Sequence, residues 1–536
     1  MRWGRAALTT TRRMRLAGLA TLAVLTIGLI RTAVAGEAAG TLTAASERES
    51  TSAEADAQGA DRSKQSVARA RFDRDLEAMR KYRPGYRFWS HVFSVPDGRI
   101  AFGSATDGRL LATFPAKGDW VEGAQWAETE YSDLLAAHPV SGSLTQRRED
   151  TARLLAEVEG PVVHHATRGS FIEAGVERYG TFLSEWGAIF ERFGVPAEIG
   201  LAQALVESGL RGDIRSEAGA IGFCQWLPAN WKRIKQLSPH VVEGYNQTTQ
   251  AAYCAAHLAI LATKYGSFVP ALSEHHAGGT NVGRTIINGA FAGGEDIRER
   301  YFLGGELTLL IRQIGLPGYR DVVGGYGPRS FRYAELVFGN MTTIESVKAS
   351  VPQQRIFAMR ARRALPLDEV TRRTGLSVDE VRRFNPALVN RVPAGANLYL
   401  PAYFEDLGTD VTFWHRPPSA DYARVLDEFL RLDEHYGPED WDDRSAVNAL
   451  REFEARFRAT DTEEGTVMAV MIAYVLEDLA RSERFEILAK FRNSDRVRRL
   501  LELGAREREA RLPAADERDG WGRRIALLSA MTFQGR

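Results

Sequence analysis

The sequence predicts a mainly α-helical protein built from several modules, and three observations point there. Two long tracts, Phe171 to Gly339 and Asp406 onward, carry apolar residues at helical spacing. Strand-like runs are few and short. The 536 residues exceed one ordinary domain, and 44% apolar with 26% charged residues is a globular composition. Formal net charge is zero, so no global charge calls for nucleic acid or an anionic surface.

In chain order, the first element is an export signal. Arg2, Arg5, Arg12, Arg13 and Arg15 precede the apolar run Leu16–Ile30, which is shorter than the roughly 20 residues of a membrane span. Arg31 ends the run, and Ala33-Val34-Ala35 is a small-x-small cleavage pattern, so residues 1–35 read as a secretory signal peptide. An uncleaved anchor with membrane association is the alternative. Cleavage removes six arginines, leaving 63 basic against 69 acidic residues. No Cys lies near the site, which speaks against a lipid anchor there. Residues 36–70, rich in small and polar types, read as a disordered linker.

Residues 71–160 form a small mixed α/β module. "YRFWSHVFSV" and "GRLLATF" read as strands, "PDG" and "TDG" as turns, and "WAETEYSDLLAAH" as a helix. Residues 161–342 are helical, with Gly194 as a helix stop and Pro196 as the next start. Over 350–404, two short helices are expected at Leu367–Thr374 and Ser377–Phe384, the second opened by a Ser377/Glu380 capping box. A strand in "NLYLP" closes that βααβ unit. Residues 405–536 read as charged helices with two apolar stripes, Leu426, Phe429, Leu430 and Leu432, then Val470, Ile472, Leu476 and Leu479. The two cysteines, Cys224 and Cys254, permit a disulfide in an exported chain or serve as two small buried apolar groups.

Chemistry concentrates at "GVPAEIGLAQALVESGL", Gly194 to Leu210, whose acid is Glu207. On a helix ending at Gly209, Glu207 shares a face with Gly200, Gln203 and Ala204, small or polar residues that leave space for a ligand. The helix dipole and partial burial are both expected to push its carboxyl toward the protonated form that a general acid needs. "SEAGAIGFCQWLPANW" follows, with Gln225, Trp226 and Trp231 offering an amide and aromatic faces suited to an N-acetylated sugar. A packed turn with core tryptophans fits the same composition.

The order "VESGL", "SEAGAIGFCQWLP", "ALSEHHAGG" and "RSFRYAELVFG" resembles the soluble lytic transglycosylase domain across roughly Phe171–Asn340. The resemblance implies a goose-type-lysozyme-like helical fold that cleaves peptidoglycan between N-acetylmuramic acid and N-acetylglucosamine, leaving 1,6-anhydro ends. By the same resemblance Glu207 is the single acid/base and Ser208 its neighbour that helps place the acid and the substrate. Gln225 lies near the acetamido group, and Tyr333 orients Glu207. No metal or cofactor is called for.

Two departures stand out. The third motif of that family reads Ala-Tyr-Asn-Ala-Gly, whereas His275 and His276 stand at the Tyr and Asn positions here, and Cys224 replaces the Met before Gln225. Both histidines are candidate substrate-binding groups, and a protonated His275 would hold Glu207 ionised. Adjacent positions do not face one metal, so zinc is set aside for this pair and for His164-His165. The stretch 279–330 looks long for that family and is expected to build a flap beside the cleft, with Tyr326 and Arg329 as candidate substrate contacts. Residues 356–403 resemble a LysM module, the small peptidoglycan binder, without its opening Gly-Asp-Thr, in whose place stands Ala364-Leu365-Pro366. Together these imply a periplasmic or envelope protein acting on glycan strands, similar to membrane-bound type D transglycosylases. The competing readings are a catalytically weakened peptidoglycan-binding scaffold and a lysozyme-type hydrolase.

Overall fold

The computed structural model describes residues 67–325, 330–413 and 419–511. The expected signal peptide, most of the linker, Tyr326 and Arg329 lie outside the described residues. The protein is mainly α-helical with small antiparallel sheets. Among the described residues, no helix is long and apolar enough to cross a membrane.

The tract read as linker up to residue 70 already holds a helix, 67–82, whose Phe72, Met79 and Tyr82 are buried. The segment "YRFWSHVFSV" is a second departure. It forms a 3-10 turn at Pro84–Arg87 and an α-helix at Phe88–Ser94 rather than a strand. Its buried residues are Phe88, Trp89, Val92 and Phe93, at positions i, i+1, i+4 and i+5. That is a helical stripe, and aromatic content had masked its period. Arg99–Ser104 pairs antiparallel with both Leu110–Pro115 and Val162–Ala166, and Gln125–Trp126 adds an edge. Phe102, Phe114, Trp120, Tyr131 and Leu155 fill a small core on this sheet.

A central hydrophobic core extends from Phe72 to Leu479, with a smaller one around Leu307, Phe491 and Leu501. It takes in Leu426, Phe429, Leu430 and Leu432 of the first C-terminal stripe and Val470, Ile472 and Leu479 of the second. Those helices therefore pack into the same interior as the helices around Glu207, since an apolar stripe is stable only when another surface covers it.

Within 350–404 the helices are Leu367–Thr374 and Val378–Phe384, and the Ser377/Glu380 capping box is formed. Phe357–Ala361 pairs antiparallel with Asn397–Leu400 and closes the βααβ unit around Met359, Val370, Val381 and Leu398. The unit is docked on the helical body. Tyr399 shares a 2.8 Å hydroxyl contact with Thr249, Asn246 donates to the Phe384 carbonyl at 3.2 Å, and Phe384 packs on Phe182 with ring centroids 4.9 Å apart.

Candidate active site

Glu207 occupies the last turn of the helix Ala197–Ser208. Gly194 turns the chain at φ 74°, which only glycine adopts without strain, and Pro196 caps the helix N-terminus. Gly209 stops it in the left-handed region at φ 56°, where a Cβ would collide with the Phe171 carbonyl. The acid is thus fixed at a helix end by backbone geometry on both sides.

Space above the acid is not where the helical face placed it. Gln203 and Ala204 are buried, and a Cβ on Gly200 would run into the Phe190 ring, so the small-residue face packs against the helix Leu183–Arg192. Glycine there serves close helix packing. The Glu207 side chain itself keeps 12% exposure.

Three side chains converge on it. His276 Nδ1 lies 3.9 Å and His275 Nε2 4.0 Å from Glu207 Oε1, ion-pair distances longer than a formed hydrogen bond. Both belong to the helix Phe268–Ala277. Tyr333, first residue of the helix Tyr333–Gly339, stacks on His276 with ring centroids 4.4 Å apart and planes 6° from parallel. Its hydroxyl is buried beside Glu207 and Gln203 and makes no hydrogen bond. A buried donor without an acceptor is costly, and the group in reach is the carboxyl.

The electrostatics correct the expectation for Glu207. Burial pushes its carboxyl up, but His276, the charge of His275 and the Tyr333 hydroxyl together outweigh burial, and the net direction is below the ordinary carboxylate value. His275 is itself pushed down, chiefly by burial, so it is neutral at neutral pH and pulls on Glu207 only in acid. The free site therefore holds a carboxylate at neutral pH.

The other expected residues divide. His276 is 36% exposed and can meet a ligand, whereas His275 is only 5% exposed and its Nε2 bonds the Cys224 carbonyl at 2.9 Å. Ser208 is fully buried and its hydroxyl donates to Ala204 at 2.8 Å within the helix, so it braces the backbone behind Glu207 and offers nothing to a ligand. Gln225 sits half-buried in the left-handed region at φ 49° and donates its amide to the Gly222 carbonyl at 3.0 Å. Trp226 and Trp231 are buried core rings with centroids 5.0 Å apart, so the packed-turn reading of that segment is the one realised.

One alternative that the sequence left open is decided here, and one residue of the site was not foreseen. A disulfide joins Cys224 to Cys254 and ties the turn before Gln225 to the helix Gln247–Tyr265. His257 on that helix packs between Trp226, His275 and Tyr474, and burial pushes it down to about 3, so it is neutral. A histidine within the apolar run "AAHLAIL" was its only signal. No cluster of three or more His, Cys, Asp or Glu that could hold a metal occurs among the described residues. Chemically, the site is one carboxyl that can give and take a proton, flanked by two imidazoles and a phenol.

Comparison with protein-family models and with curated protein sequences finds no match to this chain.

Proposed function

We propose that the protein is a peptidoglycan lytic transglycosylase with a lysozyme-like helical catalytic domain. The observation that carries the reading is the convergence of His275, His276 and Tyr333, from two separate helices, on the lone carboxyl of Glu207. A hydrolase of the usual kind uses two carboxylates. Here the groups acting most strongly on Glu207 are two imidazoles and a phenol.

In this scheme Glu207 protonates the oxygen between N-acetylmuramic acid and N-acetylglucosamine. The substrate acetamido group shields the developing cation, and Gln225 is assigned to that group by its place in the motif. The Glu207 carboxylate then takes the proton of the muramic 6-hydroxyl, which attacks its own ring carbon and leaves a 1,6-anhydro end. That attack is intramolecular and gains from proximity. The ionised resting state suits the second half. For the first half the acid must be protonated, and substrate covering its remaining exposed surface adds desolvation, the influence that raises its pKa.

The test is mass spectrometry of fragments released from purified peptidoglycan by the full chain and by Glu207→Gln. Anhydro-muropeptides from the first, with a loss of at least about 100-fold in the second, are expected. Reducing ends would assign a hydrolase. Binding without release across pH 5–9 would assign a scaffold.

A further inference from the structure

Beyond the Trp226–Trp231 pair that backs His275 lies an open pocket of about 510 Å³ whose charged lining is entirely cationic. Arg215, Lys232 and Lys235 surround it with Trp231, Tyr245 and Ile221, and no Asp or Glu contributes to the lining. None of the three cations forms an ion pair among the described residues, in a protein where cations such as Lys264 and Arg484 are paired more than once. Arg215 is held in place rather than left loose. Its guanidinium donates to the Tyr245 hydroxyl and lies 5.5 Å from the Tyr245 ring centroid.

The pocket is fixed relative to Glu207. Ile221 bridges both Arg215 and Trp226 in a tight hairpin. Trp231 contacts Trp226 with centroids 5.0 Å apart, and Trp226 stands 6.4 Å from His275, whose Nε2 is 4.0 Å from the acid. Two buried tryptophans thus separate the acid's neighbour His275 from the three unpaired cations.

We infer that this pocket binds free carboxylates of a short peptide attached to the glycan in the cleft, an inference that rests on the proposed glycan-cleaving function. Unpaired cations around an aromatic edge favour a multiply charged anion, because each charge-assisted contact adds to the others without a competing acid. The pocket is too wide to be filled by a single carboxylate, and a peptide supplies several carboxylates together with apolar groups for Trp231 and Ile221. The pocket thereby selects strands that still carry their peptides.

Calorimetry on the full chain carrying Glu207→Gln tests this with two probes, a peptide-substituted glycan strand and the same strand stripped of peptide. The substituted strand should bind about tenfold more tightly, and Lys232→Gln with Lys235→Gln should abolish that preference while leaving the bare strand unaffected. Both lysines are exposed, so these changes do not threaten the fold. The preference should also shrink as salt rises. Equal binding of the two strands, or a preference that survives the double variant, overturns the peptide site while leaving the glycan reading in place. Binding of neither strand overturns both. Competition by inorganic phosphate as strong as by a free acidic peptide would reassign the pocket to phosphate groups.

Discussion

Two buried carboxylates stand next to the candidate site, one on each wall, and they are held differently. Glu274 immediately precedes His275. It receives Lys264 at 3.1 Å, Arg484 at 3.0 Å and the Tyr265 hydroxyl, and the two cations also share Asp442 at 2.9 and 3.2 Å. Glu335 follows Tyr333 by two residues. It accepts from the Trp89 indole at 3.0 Å, but Arg83 and Arg332 remain at 3.7 and 3.8 Å and its Oε2 makes no hydrogen bond. The histidine wall is therefore clamped by a carboxylate whose two oxygens both accept, in a network reaching into the C-terminal helices. The tyrosine wall hangs on a looser one reaching to the N-terminal segment. Satisfied buried networks fix geometry, whereas partly satisfied ones leave freedom to shift. The difference predicts that His275 and His276 form a rigid backstop and that Tyr333 is the part that adjusts when Glu207 changes protonation.

Removing the tighter clamp should cost most. Glu274→Gln leaves Lys264 with Asp442, and Arg484 with Asp442 and the exposed Asp478, and should lower unfolding free energy by about 3–5 kcal/mol in denaturant melts at pH 7. Burial pushes Glu274 up, but Lys264 and Arg484 prevail and hold it at about 2. Because the folded value is depressed, this stabilisation is complete above the ordinary carboxylate range and fades as pH falls toward 2, so the variant and the parent should converge in acid. A constant gap across pH 2–5 would break the account of the clamp.

Cutting the Cys224–Cys254 bond, which spans 30 residues, should cost about 3–4 kcal/mol by loop entropy. It should also lower kcat, because the Cys224 carbonyl anchors His275. Loss of stability with unchanged kcat would show that the backstop does not depend on this tie. For the looser wall, Glu335→Gln should cost only about 1–2 kcal/mol, the worth of one indole hydrogen bond and distant charges. A cost equal to that of Glu274→Gln would erase the contrast between the walls.

The smallest effect on stability is expected from Tyr333→Phe, within about 1 kcal/mol of neutral, since its hydroxyl makes no hydrogen bond to lose. Its effect should appear in pH dependence instead. The hydroxyl helps to lower the Glu207 pKa, so its removal raises that pKa. Activity that needs the protonated acid is lost as pH rises through this pKa, so the alkaline limb of kcat/KM should move to higher pH. A limb that stays in place would separate Tyr333 from the acid.

Much of the local structure was legible. Gly194, Pro196 and Gly209 delimit the acid helix, and Ser377 with Glu380 opens the second helix of the βααβ unit, because caps and left-handed glycines act within a few residues. The N-terminal "YRFWSHVFSV" was misread because aromatic residues favour strands in isolation, while burial on one helical face decided otherwise. Of the two tasks expected of Ser208, bracing Glu207 is compatible with its hydroxyl turning back on its own helix, whereas contact with a ligand is not, a choice set by packing behind the acid.

The sequence by itself determined the helical class and the position of Glu207 at a helix end, since periodicity and capping are written in neighbouring residues. Only the tertiary structure decided that Glu207 rests ionised, that Phe190 fills the face beside it, that Cys224 bonds Cys254 and that the C-terminal stripes join the central core. Each of these depends on groups brought together from distant segments, and burial and charge take their values from that assembly rather than from the local chain.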